Sequence, residues 1–195
     1  MPRLFTALEI PTEIGTRLAM LKGKLVGARW ITSENYHLTL RFAGDIDDVT
    51  AQALAVELGE IQFEPFELAF CELGSFGGKK PHTLWAGLRQ SEPLMRLQKA
   101  HERAARTVGL PPETRNYTPH VTLARLRDTR PQAVAEYLSY FGAFVTAPFT
   151  VERFVLFSSR ASIGGGPYVV EETYPFAGTI GRPDNAADDG LDIRL

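Results

Sequence analysis

His37 and His120 each open the tetrapeptide H-x-T-L, and they are two of only 4 histidines in a chain of 195 residues. If both tetrapeptides are strands, alternate side chains face opposite ways. His37 and Thr39 then share one face, opposite Leu38 and Leu40. His120 and Thr122 share one face, opposite Val121 and Leu123. A single unit of this kind is an ordinary half-exposed strand. Two in one chain suggest a paired site, with an imidazole beside a hydroxyl, twice. Imidazole titrates near neutral pH, so one ring can accept a proton while the other donates one. The hydroxyls can donate to two non-bridging oxygens of an anion. A phosphodiester suits these four groups: a nucleophile to deprotonate, a leaving oxygen to protonate, two oxygens to hold. Zinc would need three or four suitably spaced ligands, and no HExxH or CxxC accompanies the pair, so no metal is expected.

The surrounding sequence must place these units side by side. RLFTALEI (3–10) is strand-like, and Pro11-Thr12 opens a helix carrying Ile14, Leu18, Leu21 and Leu25. A loop with Trp30 leads to YHLTLRF (36–42), an alternating strand ending at Gly44-Asp45. Asp47 and Asp48 can cap a helix over 47–60. FELAFCELGSF (66–76) and HTLWAGL (82–88) are strands around the turn GGKKP (77–81). Ser91 opens a helix through Val108 with Leu94, Leu97, Ala100, Ala104 and Val108 along one side. Gly109 ends it. PPETRNYTP is a loop, HVTLARL (120–126) a strand, and Pro131 starts a helix to Phe141. FTVERFVLFSS (149–159) and YVVEETYPF (168–176) form a last strand pair around SIGGGP.

Each motif strand follows a helix and a loop and precedes a helix. The expected fold is α+β and bilobal: two pseudo-symmetric half-domains of antiparallel sheet backed by helices, with the active cleft between the lobes. No linker separates them, so residues 1–177 read as one domain. The Gly/Asp-rich residues 178–195 read as a poorly ordered tail.

Composition sets bounds. Hydrophobic residues are 44% and charged residues 23%, as for a packed globular chain. The net charge of −2 argues against tight non-specific binding along a nucleic-acid backbone, though not against a local anion site. The lone Cys71 excludes an internal disulfide and a Cys-based zinc finger. The start MPRLFTALEIPTEI is not a signal peptide, and no apolar run approaches membrane-spanning length. A soluble, cytoplasmic chain is expected.

The two H-x-T-L units, their spacing and the chain length resemble the two-histidine (2H) phosphoesterases. Within them the chain is similar to the LigT/ThpR group, the bacterial and archaeal RNA 2′,3′-cyclic phosphodiesterases. The likeness extends over RLFTALEIP, GSFGGKKPHTLWAGL, TPHVTLAR and SSR…GGGPYVV, leaving out only the tail. It implies metal-independent and cofactor-free opening of a 2′,3′-cyclic phosphate at an RNA end, leaving a 2′-phosphate. By motif it makes His37 the proton donor and His120 the proton acceptor. Thr39 and Thr122 hold phosphate oxygens, together with Arg125 of the extended second motif. Strand alternation puts 120, 122 and 124 on one face and 125 on the other, so Arg125 reaches the site by curling its arm round or through a bulge. In the reverse, ligase-like direction the histidine roles exchange. The expected partner is an RNA end, with neither membrane nor protein partner, and the chain a monomer. Another cyclic phosphate (a small nucleotide or an ADP-ribose derivative) is the alternative substrate, and a non-catalytic RNA-end binder the alternative role.

Arg41, Phe5 and Tyr117 are the candidate substrate contacts. Phe5 has the rival role of a core aromatic, and Lys79-Lys80 that of a solvated turn. His82 is expected at the surface, and His101 on a solvated helix face beside Glu102 and Arg103. Gly164–Gly166 lacks the Lys and following helix of a P-loop.

Overall fold

The computed structural model describes residues 3–159 and 167–178. The Gly triplet, Arg160 and the tail beyond 178 lie outside the described residues. Among the described residues, ten strands and four helices follow in the order β1 (Arg3–Glu9), α1 (Thr12–Ala19), β2 (Ala28–Trp30), β3 (His37–Asp45), α2 (Asp48–Gly59), β4 (Phe66–Leu68), β5 (Phe70–Phe76), β6 (Thr83–Leu88), α3 (Glu92–Thr107), β7 (His120–Leu126), α4 (Pro131–Phe141), β8 (Phe149–Val151), β9 (Arg153–Ser159) and β10 (Tyr168–Pro175). A 3₁₀ turn, Ser33–Asn35, precedes β3.

Local chemistry sets most of the boundaries. The Asp47 carboxylate accepts from the Thr50 amide at 2.9 Å and caps α2. Ser91 does the same for α3 through the Leu94 amide, and Pro131 opens α4, where its missing N–H costs nothing. The first helix is shorter than its apolar spacing implies. It unwinds after Ala19 through the bonds Leu21 N–H to Leu18 O and Lys22 N–H to Ala19 O, while Leu21 and Leu25 stay buried from the turn that follows.

Eight strands form one sheet in the order β10-β9-β1-β3-β7-β6-β5, with β2 also paired to β7, and β4 pairs with β8 apart from it. All the pairings are antiparallel. The long runs 66–76 and 149–159 each divide into two strands serving different sheets. The motif strands β3 and β7 are adjacent at the centre, yet they pair at one position only, Leu38↔Val121. Farther along, β2 takes that edge of β7, Ala28↔Leu126 to Trp30↔Ala124. The strand β2, expected as loop, is possible because Gly27 has φ +83°, and a Cβ there would lie 2.1 Å from the Arg127 carbonyl oxygen. Two half-sheets thus meet along β3 and β7 and diverge from there.

One face of the sheet carries the main core. Leu38, Leu40, Val121 and Leu123 are at most 2% exposed and pack with α3 residues Leu94, Leu97 and Ala104. Each such burial is worth about 1.5–3 kcal/mol. The opposite face of the first half carries a second cluster, Phe5, Ala7, Val155 and Phe157, with Tyr168 against it. His101 corrects the expectation of a solvated helix face. It is 1% exposed, stands edge-on to Phe154 at 4.4 Å, and has no hydrogen-bond partner at either ring nitrogen. It falls with Leu94, Leu97 and Ala104 on the buried stripe, and burial pushes its pKa down to about 3. Trp30 packs on Tyr137 and belongs to this core. No helix among the described residues is long and apolar enough to cross a membrane.

Candidate active site

Where the half-sheets part, a cleft of about 640 Å³ opens, lined by His37, Thr39, His120, Thr122 and Arg125 together. Alternation along β3 and β7 aims the leucines and valine into the core, so it aims the histidines and threonines into the cleft.

The two imidazoles are held alike. His37 Nδ1 lies 2.9 Å from the Asn35 carbonyl oxygen, and His120 Nδ1 lies 2.7 Å from that of Thr118. A carbonyl only accepts, so each Nδ1 carries the hydrogen and donates. That leaves Nε2 for the cleft, as base when neutral and acid when protonated. Burial pushes the His37 pKa down to about 4, the nearby His120 and Arg125 charges adding to the effect. His120 is also held below its ordinary 6.5, by burial first and then by Arg125.

Register explains how Arg125 reaches the same face. Along β6 and β7 the pairs are Trp85↔Thr122, Leu84↔Ala124 and Thr83↔Arg125, so β7 has one residue more than β6 at this point. Leu123 and Ala124 are consecutive and both fully buried, as a β-bulge demands. Past the bulge, Arg125 returns to the face of His120 and Thr122. Its guanidinium donates to Thr83 Oγ1 at 3.1 Å, and Thr83 is 2% exposed. His82 Nδ1 lies 3.0 Å from the same hydroxyl. His82 is exposed, as expected, but it stands on the cleft rim.

The first motif strand has the same irregularity. β1 and β3 pair as Ala7↔Thr39, Thr6↔Arg41 and Phe5↔Phe42, again with one extra residue on the motif strand. This turns Phe42 to the cleft and Arg41 away. Arg41 therefore corrects the expectation of a substrate contact: its Nε sits 2.6 Å from Glu102 Oε2 on α3, its guanidinium donates to the carbonyls of Phe42 and Pro111, and it does not line the cleft. Tyr117 is a second correction. Its hydroxyl donates to the Thr39 carbonyl at 3.0 Å, tying the incoming loop to β3 outside the cleft. Phe5 lines the cleft, but as a floor, 2% exposed, with its centroid 5.0 Å from that of His37.

Several cleft residues escaped sequence reasoning. Tyr168 stands edge-on to His37 at 4.8 Å, and Phe76 edge-on to His120 at 4.9 Å. Trp85 completes the His120 surround and lies over Gly74, where a Cβ would come within 2.3 Å of its ring. Arg3, paired to Asp45 at 3.2 Å, and Arg115, paired to Glu113 at 2.7 Å, edge the opening. Phe42 was within reach of the sequence: HLTLRF laid over HVTLAR puts Phe42 where the second motif has Arg125. The others come from strands without any repeated signature. No group of three or more His, Cys, Asp or Glu positioned for a metal ion occurs among the described residues.

The chain is similar to several known proteins. An RNA 2′,3′-cyclic phosphodiesterase of Aquifex aeolicus is 30% identical over 176 residues, 87% of this chain and 93% of that protein. One from Aeropyrum pernix is 33% identical over 120 residues, 58% of this chain and 68% of that protein. The crystal structure of E. coli LigT complexed with 3′-AMP superposes with a TM-score of 0.71 at 25% identity, covering 91% of this chain and 99% of that one. The family model of the 2′-5′ RNA ligase superfamily matches residues 12–162. That span includes both motif strands and most of the sheet, and on that ground the chain belongs to the 2′-5′ RNA ligase superfamily.

Proposed function

We propose that this chain is a metal-independent RNA 2′,3′-cyclic phosphodiesterase that leaves a 2′-phosphate end. The observation that carries the proposal is the pair of imidazoles, each with Nδ1 tied to a backbone carbonyl and each beside a threonine, on one cleft. The Aquifex and Aeropyrum relatives bear that name, and LigT holds a nucleoside monophosphate. His120 Nε2 takes a proton from water as the water oxygen attacks phosphorus. The P–O3′ bond breaks, and His37 Nε2 gives its proton to the departing 3′ oxygen. Atoms balance: one water enters, a 3′-hydroxyl and a 2′-phosphate leave, and solvent restores the two rings.

Thr39 and Thr122 donate their hydroxyls to the non-bridging oxygens, and Arg125 answers the growing negative charge. The bound phosphate also has a role in protonation. Its charge opposes the burial that depresses the His37 pKa, so substrate brings the acid's proton into the cleft. The remaining readings go with this one: residues 1–177 act as one unit, monomeric and cytoplasmic, with an RNA end as partner.

The test is to incubate the protein, with EDTA present, with an oligonucleotide ending in a 2′,3′-cyclic phosphate and to identify the product. A 2′-phosphate end is expected. A 3′-phosphate end would reverse the leaving group and with it the histidine roles. An unchanged substrate would overturn the reading.

A further inference from the structure

Two imidazoles that work together must keep a fixed separation, yet the strands that carry them pair at one position, Leu38↔Val121, before they diverge. A second connection lies behind the cleft. Arg41, turned away from the cleft by the bulge in β3, reaches the loop that brings the chain from α3 to β7. Its guanidinium donates to the Pro111 carbonyl, and its Nε stands 2.6 Å from Glu102 Oε2. The other Glu102 oxygen accepts from the Glu113 amide at 3.2 Å. Arg41 therefore holds the loop directly at Pro111 and, through Glu102, at Glu113. Farther along, the Tyr117 hydroxyl donates to the Thr39 carbonyl at 3.0 Å. The loop runs back along β3, tied to it by side chains in place of ladder bonds. Its next carbonyl, that of Thr118, accepts from His120 Nδ1 at 2.7 Å. His37 has no such dependence, because Asn35, in the turn just before its own strand, holds its Nδ1.

The Arg41 and Glu102 side chains are only 10% and 21% exposed. An ion pair so far from water adds little to stability, since apolar side chains of similar size serve a buried position as well or better. Its distinctive property is direction. A guanidinium fork fixes a carboxylate and a carbonyl at set angles, which an apolar contact does not.

We propose that Arg41 and Glu102 are positioning residues for His120: together they brace loop 110–119 against β3, so that the second imidazole keeps its tautomer and its place opposite the first. The kinetic side of this inference rests on the function proposed above, and the tautomer of His120 can be read without it.

The experiment replaces the pair as a whole. Arg41→Met/Glu102→Met leaves neither charge buried alone, so its melting temperature should match wild type. Its kcat on the cyclic-ended oligonucleotide should fall by about 10- to 100-fold, the scale of a misplacement of about 1 Å, with KM little changed. In nitrogen-15 spectra of the imidazoles, His120 should lose its fixed Nδ1–H form while His37 keeps its own. Arg41→Lys, which retains the charge and loses the fork, should show the same change at His120 in weaker form. Wild-type kcat and an unaltered His120 spectrum in the double variant overturn the brace, and so does an equal change at both histidines. If the double variant does not fold, Arg41→Lys decides, and an unaltered His120 spectrum there overturns the brace. If wild-type protein leaves the oligonucleotide unchanged, the proposed function has failed instead, and the brace stands or falls on the His120 spectrum.

Discussion

The half built on β1 and β3 and the half built on β6 and β7 solve one geometric problem with different surroundings. Both pin an imidazole through Nδ1 to a carbonyl two residues earlier in the chain, both set a threonine beside it, and both bulge directly after. The first half packs its histidine among Phe5, Phe157 and Tyr168. The second has Phe76 and Trp85 near its histidine but backs its last cleft residue with the Thr83 hydroxyl. A repeated backbone thus holds the imidazoles and threonines in place, while the side chains beneath it are free to differ. The aromatic half suits a flat apolar group and the polar half a charge.

Removing either imidazole tests whether the halves are equal in chemistry. His37→Ala and His120→Ala should each lower kcat by about 10²–10⁴-fold on the cyclic-ended oligonucleotide, the usual worth of one proton-transfer group. The double variant should be less active than either single one by much less than the product of the two losses, since the rings act as a unit. Full activity in the His120→Ala protein would sink the mechanism.

The threonines come next. Thr39→Val and Thr122→Val each remove one donor to developing charge, which costs at most about 2.7–4 kcal/mol by comparison with an oxyanion donor. Single-turnover rates on the two variants should fall by similar amounts if the half-sites hold the phosphate symmetrically. Arg125→Met should weaken turnover by about 1.5–3 kcal/mol, the range for a hydrogen bond to a charged group. Added salt should lower wild-type turnover more than the variant's, so the gap between them should narrow.

The pH dependence sharpens the contrast in burial. His37 is pushed down to about 4 and His120 lies below 6.5. One ring must be neutral and the other protonated, so kcat/KM should be bell-shaped, with its acid limb near the His37 value. Above the higher of the two pKa values it should fall about tenfold per unit. An optimum above pH 7 in kcat/KM would contradict the burial that separates these rings from solvent.

His101, behind the sheet and against Phe154, concerns stability and not turnover. Its folded pKa of about 3 lies below the ordinary 6.5, so the unfolded chain binds the proton more readily. Its contribution to stability is complete above about pH 6.5 and is lost as the pH falls toward 3, by at most about 1.4 kcal/mol per pH unit. His101→Leu should flatten urea-unfolding stability over that window and leave catalysis at neutral pH unchanged. An unaltered pH slope in the variant would show that other groups set the acid lability.

Much of this was legible in the chain itself. Alternation in HLTLRF and HVTLAR placed both histidines and both threonines on the face opposite the leucines, and caps such as Asp47 and Ser91 marked where helices begin. These are local matters: the period of a strand, the hydrogen bond of a cap. His101 was misplaced because its charged neighbours Glu102 and Arg103 suggested solvent, whereas the helical stripe through Leu97 and Ala104 carries it inward. Arg41 and Phe42 are adjacent residues whose fates are opposite, one bound to Glu102 and the other open to the cleft. Which of them faces the site depends on a bulge, and a bulge exists only in the pairing of two strands far apart in sequence. The same holds for Arg125, and for the meeting of β3 and β7 at Leu38↔Val121. The sequence by itself determined the candidate reacting groups and the face each would occupy, because strand periodicity is local. Only the tertiary structure decided that the two faces share one cleft and that a cation and an aromatic ring complete it, because strand register is a property of the assembled sheet.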